Sequence, residues 1–415
     1  MGAPPFRIPR AWLVATAVVA VAALAACSGG AGTSSTTLTG EPVVIGSAGP
    51  DTGQVFSAPE QLEGLKAAVQ AVNAAGGIKG RPVQLEFCDT KFSPNGEINC
   101  ARRLVAKKVV ATVDTNFTAD ASGTARKLLS DAKIPTIGDF GFSPASLTSE
   151  YAYLLGGGVP GWYYGTAAAL VNAGAKRVAI VVGPTPVSQY AGQIMAQGLD
   201  SAKIPNTTVS FDPRSDPTGQ TAAAKATAAG VDGIGLAMGT SAIPVLLSAA
   251  HRGGYSGAVA SCGCIVTPAA IKSLGADSEG LMLVSQTAFT TDTANRGVAS
   301  YLADLKALDP AYVPTDTGIF SWSAVKLFAA VANGMTTIDA AAVKDALDKL
   351  TQPVDIGTVA PWSVAGKTPP SPEWPRVLNP VVQVGVVHDG VVRPDGKGFI
   401  NPFEELKKSA PTATG

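Results

Sequence analysis

The chain has 415 residues, 46% of them hydrophobic, with 31 basic and 31 acidic side chains and a formal net charge of zero. No stretch concentrates lysine and arginine on one face, which argues against a nucleic-acid surface, and the apolar content suffices for a large core. Glycine and proline are plentiful but dispersed between periodic segments, as in a succession of strand–helix turns.

The first ten residues carry Arg7 and Arg10, and residues 11–26 are uncharged and dominated by Ala, Val and Leu. A basic start, a short apolar run and small residues before a cut describe a secretory signal over 1–26. The run is shorter than the ~20 residues of a comfortable membrane span. Leu24-Ala25-Ala26-Cys27 resembles the bacterial lipobox, which implies that Cys27 becomes the lipidated first residue of the exported protein. Residues 28–40 are rich in Gly, Ser and Thr and suit a flexible tether.

Residues 42–82 set the pattern for the rest of the chain. Val43, Val44 and Ile45 form a β-branched run, as expected for a strand in a parallel sheet. Residues 46–59 read as a loop, and from Glu60 Leu62, Leu65, Val69 and Val72 recur at helical spacing. Gly76-Gly77 stops that helix, and 83–87 begins the next strand. The run Asn73-Ala-Ala-Gly-Gly-Ile-Lys-Gly-Arg81, behind a Gly-Pro-x-Thr-Gly loop at 49–53, resembles the opening of the type I periplasmic binding proteins, and within them the leucine/isoleucine/valine-binding receptors of ABC transporters. The resemblance implies an α/β fold of two Rossmann-like lobes with parallel sheets, joined by a three-strand hinge.

The alternation continues down the chain. Strands are expected at 109–113, 134–137, 151–155, 178–182, 209–211, 231–238 and 281–285, and helices at 97–109, 121–132, 162–173, 188–202, 220–229, 243–251, 298–307, 318–333 and 339–350. Gly156-Gly-Gly-Val-Pro160 breaks the pattern, as does the polar stretch 289–295. His388-Asp389-Gly390 between apolar runs signals a hairpin. By the resemblance, 41–157 plus 290–355 form the N-terminal lobe and 158–289 plus 356–405 the C-terminal lobe. Residues 406–415 read as a tail, and the Pro-rich stretch 361–380 is longer than the family's usual ending.

The chain has five cysteines. Cys27 belongs to the anchor. Cys88 and Cys100, in an exported protein, read as a disulfide closing a small loop. Ser261-Cys-Gly-Cys-Ile265 leaves open a disulfide, a pair of buried thiols, or a metal site, the last disfavoured because the only histidines, His251 and His388, stand apart. Enzyme templates are absent: there is no Gly-x-Ser-x-Gly elbow and no phosphate loop, and Gly233-x-Gly235-x-x-x-Gly239 misses the dinucleotide spacing. No cofactor and no catalytic residue is assigned.

A binding reading needs groups at strand ends. In the first lobe these are Phe56 and Ser57, then Asn116, Phe117, Thr118 and Ala119, then Phe140, Gly141 and Phe142. The resemblance implies that the last two loops offer hydroxyls and backbone N–H groups to a ligand carboxylate, with Thr118 the best hydroxyl donor. In the second lobe, Val181-Val-Gly-Pro-x-x-Val-Ser-Gln-Tyr190 matches the family's strand–loop–helix whose tyrosine faces the ligand; Trp162, Tyr163, Thr240, Cys262 and Gly263 join it. Amino-acid-binding members carry an acid where this chain has Ala260-Ser-Cys-Gly-Cys264. A buried ammonium without a counter-charge is costly, so either Asp120 or Asp139 replaces that acid or the ligand has no ammonium. The expectation is a lipid-anchored receptor on the outer face of the cytoplasmic membrane. It delivers a small amino acid, amide or organic acid to an ABC permease, acts as a monomer and binds no nucleic acid. The alternative is a ligand-sensing lipoprotein.

Overall fold

The computed structural model describes Gly2, residues 38–53 and residues 56–409. The readings made for the leader, Cys27 and most of the tether lie outside these residues. No helix among the described residues is long and apolar enough to cross a membrane.

The first sheet has five strands in the order β2-β1-β3-β4-β5: β1 (Val43–Gly49), β2 (Val83–Asp89), β3 (Ala111–Val113), β4 (Thr136–Ile137) and β5 (Ala152–Tyr153). All pair in parallel. Between them run α1 (Pro59–Ala74), α2 (Pro94–Ala106), α3 (Thr124–Asp131) and α4 (Pro144–Thr148). Val43 and Ile45 are fully buried on β1, and Leu65, Ala68 and Val72 form the inward stripe of α1. The strand runs past Ile45, where the sequence suggests a loop, because Ser47, Ala48 and Gly49 continue the register with Phe87, Cys88 and Asp89.

The chain then leaves this sheet through Gly156–Gly158 for a seven-stranded sheet of order β12-β11-β10-β9-β8-β6-β7. Here β6 (Val178–Val182), β7 (Asn206–Ser210), β8 (Gly233–Ala237), β9 (Ala258–Cys262) and β10 (Met282–Ser285) are parallel. They alternate with α5 (Gly158–Asn172), α6 (Pro186–Ser201), α7 (Gln220–Ala226), α8 (Ala242–Arg252) and α9 (Pro268–Leu274). Val178–Val182 is buried at every position, which its unbroken β-branched and apolar run requires.

After β10 the chain returns to the first sheet. There α10 (Arg296–Leu308) and α11 (Asp316–Asn333) pack on α1, and α12 (Ala340–Asp348) follows. Gly64 of α1 and Gly318 of α11 meet so closely that a Cβ on Gly64 would lie 2.1 Å from the Gly318 carbonyl oxygen, so only glycine fits. The last passage restores the chain to the second sheet, where β11 (Gln383–His388) and β12 (Val391–Pro394) add an antiparallel edge. Their turn residues Asp389 and Gly390 both have positive φ (52° and 73°), the conformation the Asp-Gly pair favours.

The Pro-rich stretch becomes a strap between the lobes. The Trp362 indole donates to the Leu154 carbonyl and Arg376 Nε to the Ala152 carbonyl, at 2.9 and 2.7 Å, both on the first lobe. Trp374 instead packs edge-on to Tyr164 of α5, which stacks on Phe403 at 4.2 Å. Phe403 belongs to α13 (Pro402–Ser409), a helix where the sequence pattern suggests fraying from Lys407; the buried Leu406 holds it to the lobe. Helices α4, α9 and α13 escape the periodicity reading because each is too short to show a repeat.

Cys88 and Cys100 are bonded, as are Cys262 and Cys264, with Cα separations of 5.5 and 5.2 Å. The thiol and metal alternatives for Cys262 and Cys264 are thereby resolved in favour of the disulfide. The Cys88–Cys100 bridge ties β2 to α2 and constrains the unfolded chain. Converting both residues to serine is expected to remove roughly 3 kcal/mol by loop-closure entropy, read as an earlier midpoint in urea unfolding.

Candidate functional site

Parallel sheets of this kind bind ligands outside the carboxyl ends of strands at the point where strand order reverses. In the first sheet that point lies between β1 and β3, and in the second between β6 and β8. Most of the residues singled out from the sequence lie at or beside such strand ends, but the structure gives several of them other duties.

At the first switch point Gln61, in the opening turn of α1, is buried. Its Nε2 donates to the Asp114 carbonyl at 2.5 Å and to the Ala48 carbonyl at 3.4 Å. Gln61 fills the space where a side chain on residue 49 would stand: a Cβ there would meet its Oε1 at 1.7 Å. Asp114 lies at the end of β3, fully buried, and its Oδ2 contacts the Ser321 hydroxyl of α11. Burial pushes the Asp114 carboxyl up to about 8, with the Ser321 hydroxyl opposing and the Asp139 charge adding. At neutral pH burial therefore favours the neutral acid, and the Ser321 hydroxyl, within reach of both, donates to Asp114 Oδ2 or to the Thr317 carbonyl at 2.8 Å.

The loop after β3 differs most from expectation. The backbone N–H groups of Thr118, Ala119 and Asp120 do not wait for a ligand carboxylate. They donate to the buried Glu97 carboxylate of α2 at 2.9, 2.8 and 2.7 Å. Burial pushes the Glu97 carboxyl up while these N–H groups pull it back. Phe117 turns beneath the loop into the cluster around Cys88, Cys100 and Leu104, under the Arg126 guanidinium. Asn116 is buried in the same loop with its Oδ1 unpartnered.

The 140–142 loop behaves alike. The Gly141 N–H donates to Asp139 at 2.8 Å, and Asp139 pairs with the buried Arg126 at 2.5 Å. Asp120 is equally engaged, accepting from Ala125 N–H at 2.7 Å and from Ser122. Neither Asp120 nor Asp139 is free to replace the missing acid, because each already serves its own lobe. Phe140 and Phe142 stack with Trp162 at 5.4 and 5.9 Å, and Phe140 with Phe320 of α11 at 4.4 Å. This aromatic cluster joins the lobes beside the first crossing. Trp162 is fully buried with its indole N–H unpartnered, and Tyr163 is core rather than lining.

Other residues sit nearer the surface. Phe56 is 36% exposed and packs edge-on to Phe92, with Ser57 exposed beside it. Tyr190 is half-buried on α6, where burial raises its hydroxyl and Trp374 of the strap opposes. Thr240 is half-buried past β8, and Cys262, the last residue of β9, and Gly263 just past it are buried.

The acid beside the Cys-Gly-Cys turn comes from the other lobe. Asp316, first residue of α11, accepts from the hydroxyls of Ser285 and Thr287 through Oδ1. A Cβ on Gly263 would stand 3.7 Å from its Oδ2. Burial pushes Asp316 up to about 6, with the two hydroxyls holding it back, so it is charged at neutral pH. Sequence spacing had no means of finding it, since 316 and 263 meet only through the return crossing.

A model of the periplasmic binding protein family matches residues 42–368. The chain belongs to that family, in its type I, leucine/isoleucine/valine-binding branch. Two curated relatives align over part of it: an amino acid binding protein of Pseudomonas aeruginosa, 35% identical over 96 residues, and a Leu/Ile/Val-binding protein homolog of Brucella melitensis, 36% over 84 residues. These alignments cover 23% and 19% of this chain, and 26% and 23% of the relatives' own lengths. Among solved structures, a fatty acid ABC transporter substrate-binding protein from Thermomonospora curvata superposes with TM-score 0.74 at 14% identity, covering 90% of this chain and 95% of that one. A branched-chain amino acid binding protein from Streptococcus pneumoniae, in complex with isoleucine, superposes at 0.67 and 17% identity, covering 85% and 98%. This periplasmic binding protein therefore has the two-lobe fold; its family binds small molecules outside the cytoplasm and works with ABC permeases.

Glu97→Ala would leave buried N–H groups at 118–120 unpartnered and is expected to destabilise the protein by about 3 kcal/mol in urea unfolding. Asp114 supplies a pH signature. Between about 4 and about 8 the folded chain keeps a proton that the unfolded chain releases, so stability falls as pH rises through that window, by up to ~1.4 kcal/mol per unit. Asp114→Asn is expected to flatten that slope, measured by urea midpoints from pH 4.5 to 8.

Proposed function

We propose that this protein is an extracytoplasmic receptor, anchored through lipidated Cys27, that captures a small molecule and presents it to an ABC importer. By the sequence reading the solute falls among small amino acids, amides and organic acids. The lobes, 41–157 plus 290–355 and 158–289 plus 356–405, rotate about the crossing segments and close on the ligand. The observation that carries the reading is the pair of parallel sheets, each with a switch point, joined by crossings that contact one another. Gln286, on the second crossing, donates to the Gly158 carbonyl at 2.8 Å and accepts from the Gly158 N–H at 3.2 Å. Closure gains population only through contacts that the ligand makes in the closed form. The names of relatives and neighbours, which range from amino acid to fatty acid binding, support solute capture without choosing the solute.

A thermal-shift screen of amino acids, amides and small organic acids tests this. A true ligand at a hundredfold its Kd adds about 2.7 kcal/mol, a rise of several degrees, and small-angle scattering should show a smaller radius on binding. A broad screen with neither response refutes solute capture. Cys27→Ser is expected to move the protein from the membrane fraction to the soluble one.

A further inference from the structure

A cavity of about 210 Å³ lies where Gly263, the second crossing and the start of α11 meet. Its walls are mainly apolar, with Val266 before α9, Ile271 on α9, Leu283 of β10, Phe289 of the crossing and Val392 of the edge hairpin, and three threonines add to the lining. Thr291 fastens the crossing to that hairpin through the Val392 carbonyl at 2.5 Å, so the wall is braced. The volume is below the roughly 300–1,000 Å³ of drug-sized pockets, which suits a compact guest. Asp316 reaches this space from the opposite lobe, and no lysine, arginine or histidine lines it among the described residues.

We infer that this cavity seats a small aliphatic amine, its ammonium on Asp316 Oδ2 and its hydrocarbon body against the apolar wall, with no carboxylate required. The inference rests on the receptor reading and moves its solute class from amino acids, amides and organic acids to amines, because Asp316 supplies the acid that the 260–264 segment lacks. Oδ1 is already satisfied by Ser285 and Thr287, Oδ2 accepts no hydrogen bond among the described residues, and no cation lines the cavity beside Asp316. A carboxylate in that setting is poorly compensated until a cation arrives. The donors that would hold a ligand carboxylate are spent elsewhere: Glu97 takes the N–H groups of 118–120, and Asp139 takes that of 141. The cavity therefore offers a ligand one acid and no cation. An occupant would touch both lobes and the crossing between them, so its binding would favour the closed arrangement.

Calorimetry with 3-methylbutylamine, leucine and 3-methylbutanoate decides the matter. The amine should bind at least as tightly as leucine, and the acid should not bind. Asp316→Asn should weaken the amine at least about thirtyfold, as for the loss of one partner of a buried charge pair. Gly263→Val, which fills the cavity from the other lobe and keeps the acid, should weaken it similarly, with circular dichroism confirming that both variants fold. Preference for the acid, amine affinity unchanged in either folded variant, or no binding of the amine overturns the inference. The receptor reading would survive each of these results if any other solute in the broad screen stabilised and compacted the protein.

Discussion

The structure depends on how a chain that changes sheets keeps its backbone satisfied while it crosses. A crossing strand has no ladder to lie in, yet it is buried, and every unpaired N–H or C=O there is costly. Gln286 meets this need by pairing both ways with Gly158, so that the second crossing supplies the hydrogen bonds the first one lacks. The same contact places the start of α5 against the end of β10 and thereby fixes the relation of the lobes. The strap adds to it, with Arg376 on the first lobe and Trp374 on the second.

Carboxylates are the second theme. Near the strand ends of the first lobe the buried acids are turned inward: Glu97 and Asp139 onto loop N–H groups, and Asp114 as a neutral acid beneath α11. These contacts hold the loops at the strand ends of the first sheet from within, which makes the first lobe a preformed wall. Asp316 is the exception, since it lines a cavity and its hydroxyl partners are Ser285 at the end of β10 and Thr287 on the second crossing. These partners come from the other side of the crossing, so its geometry depends on the lobes being together.

Local patterning determined much of this protein. The β-branched run 178–182, the apolar stripe of α1, the Gly-Gly stop at 76–77 and the Asp-Gly hairpin at 389–390 each declare their structure within a few residues, because helix period, strand period and positive φ are local properties. The alternation of such units was enough to read parallel α/β sheets, the two lobes were implied by the resemblance carried at 49–53 and 73–81, and the spacing of Cys88 and Cys100 in an exported chain was enough to read their bridge. Only the tertiary structure decided which polar groups remain free. Glu97 meets 118–120, Arg126 meets Asp139, and Asp316 meets Gly263 across long sequence gaps, and nothing in either partner's neighbourhood announces the other. A loop shows in sequence that it has donors to offer; whether they are already taken is a fact about neighbours, and neighbours are set by topology.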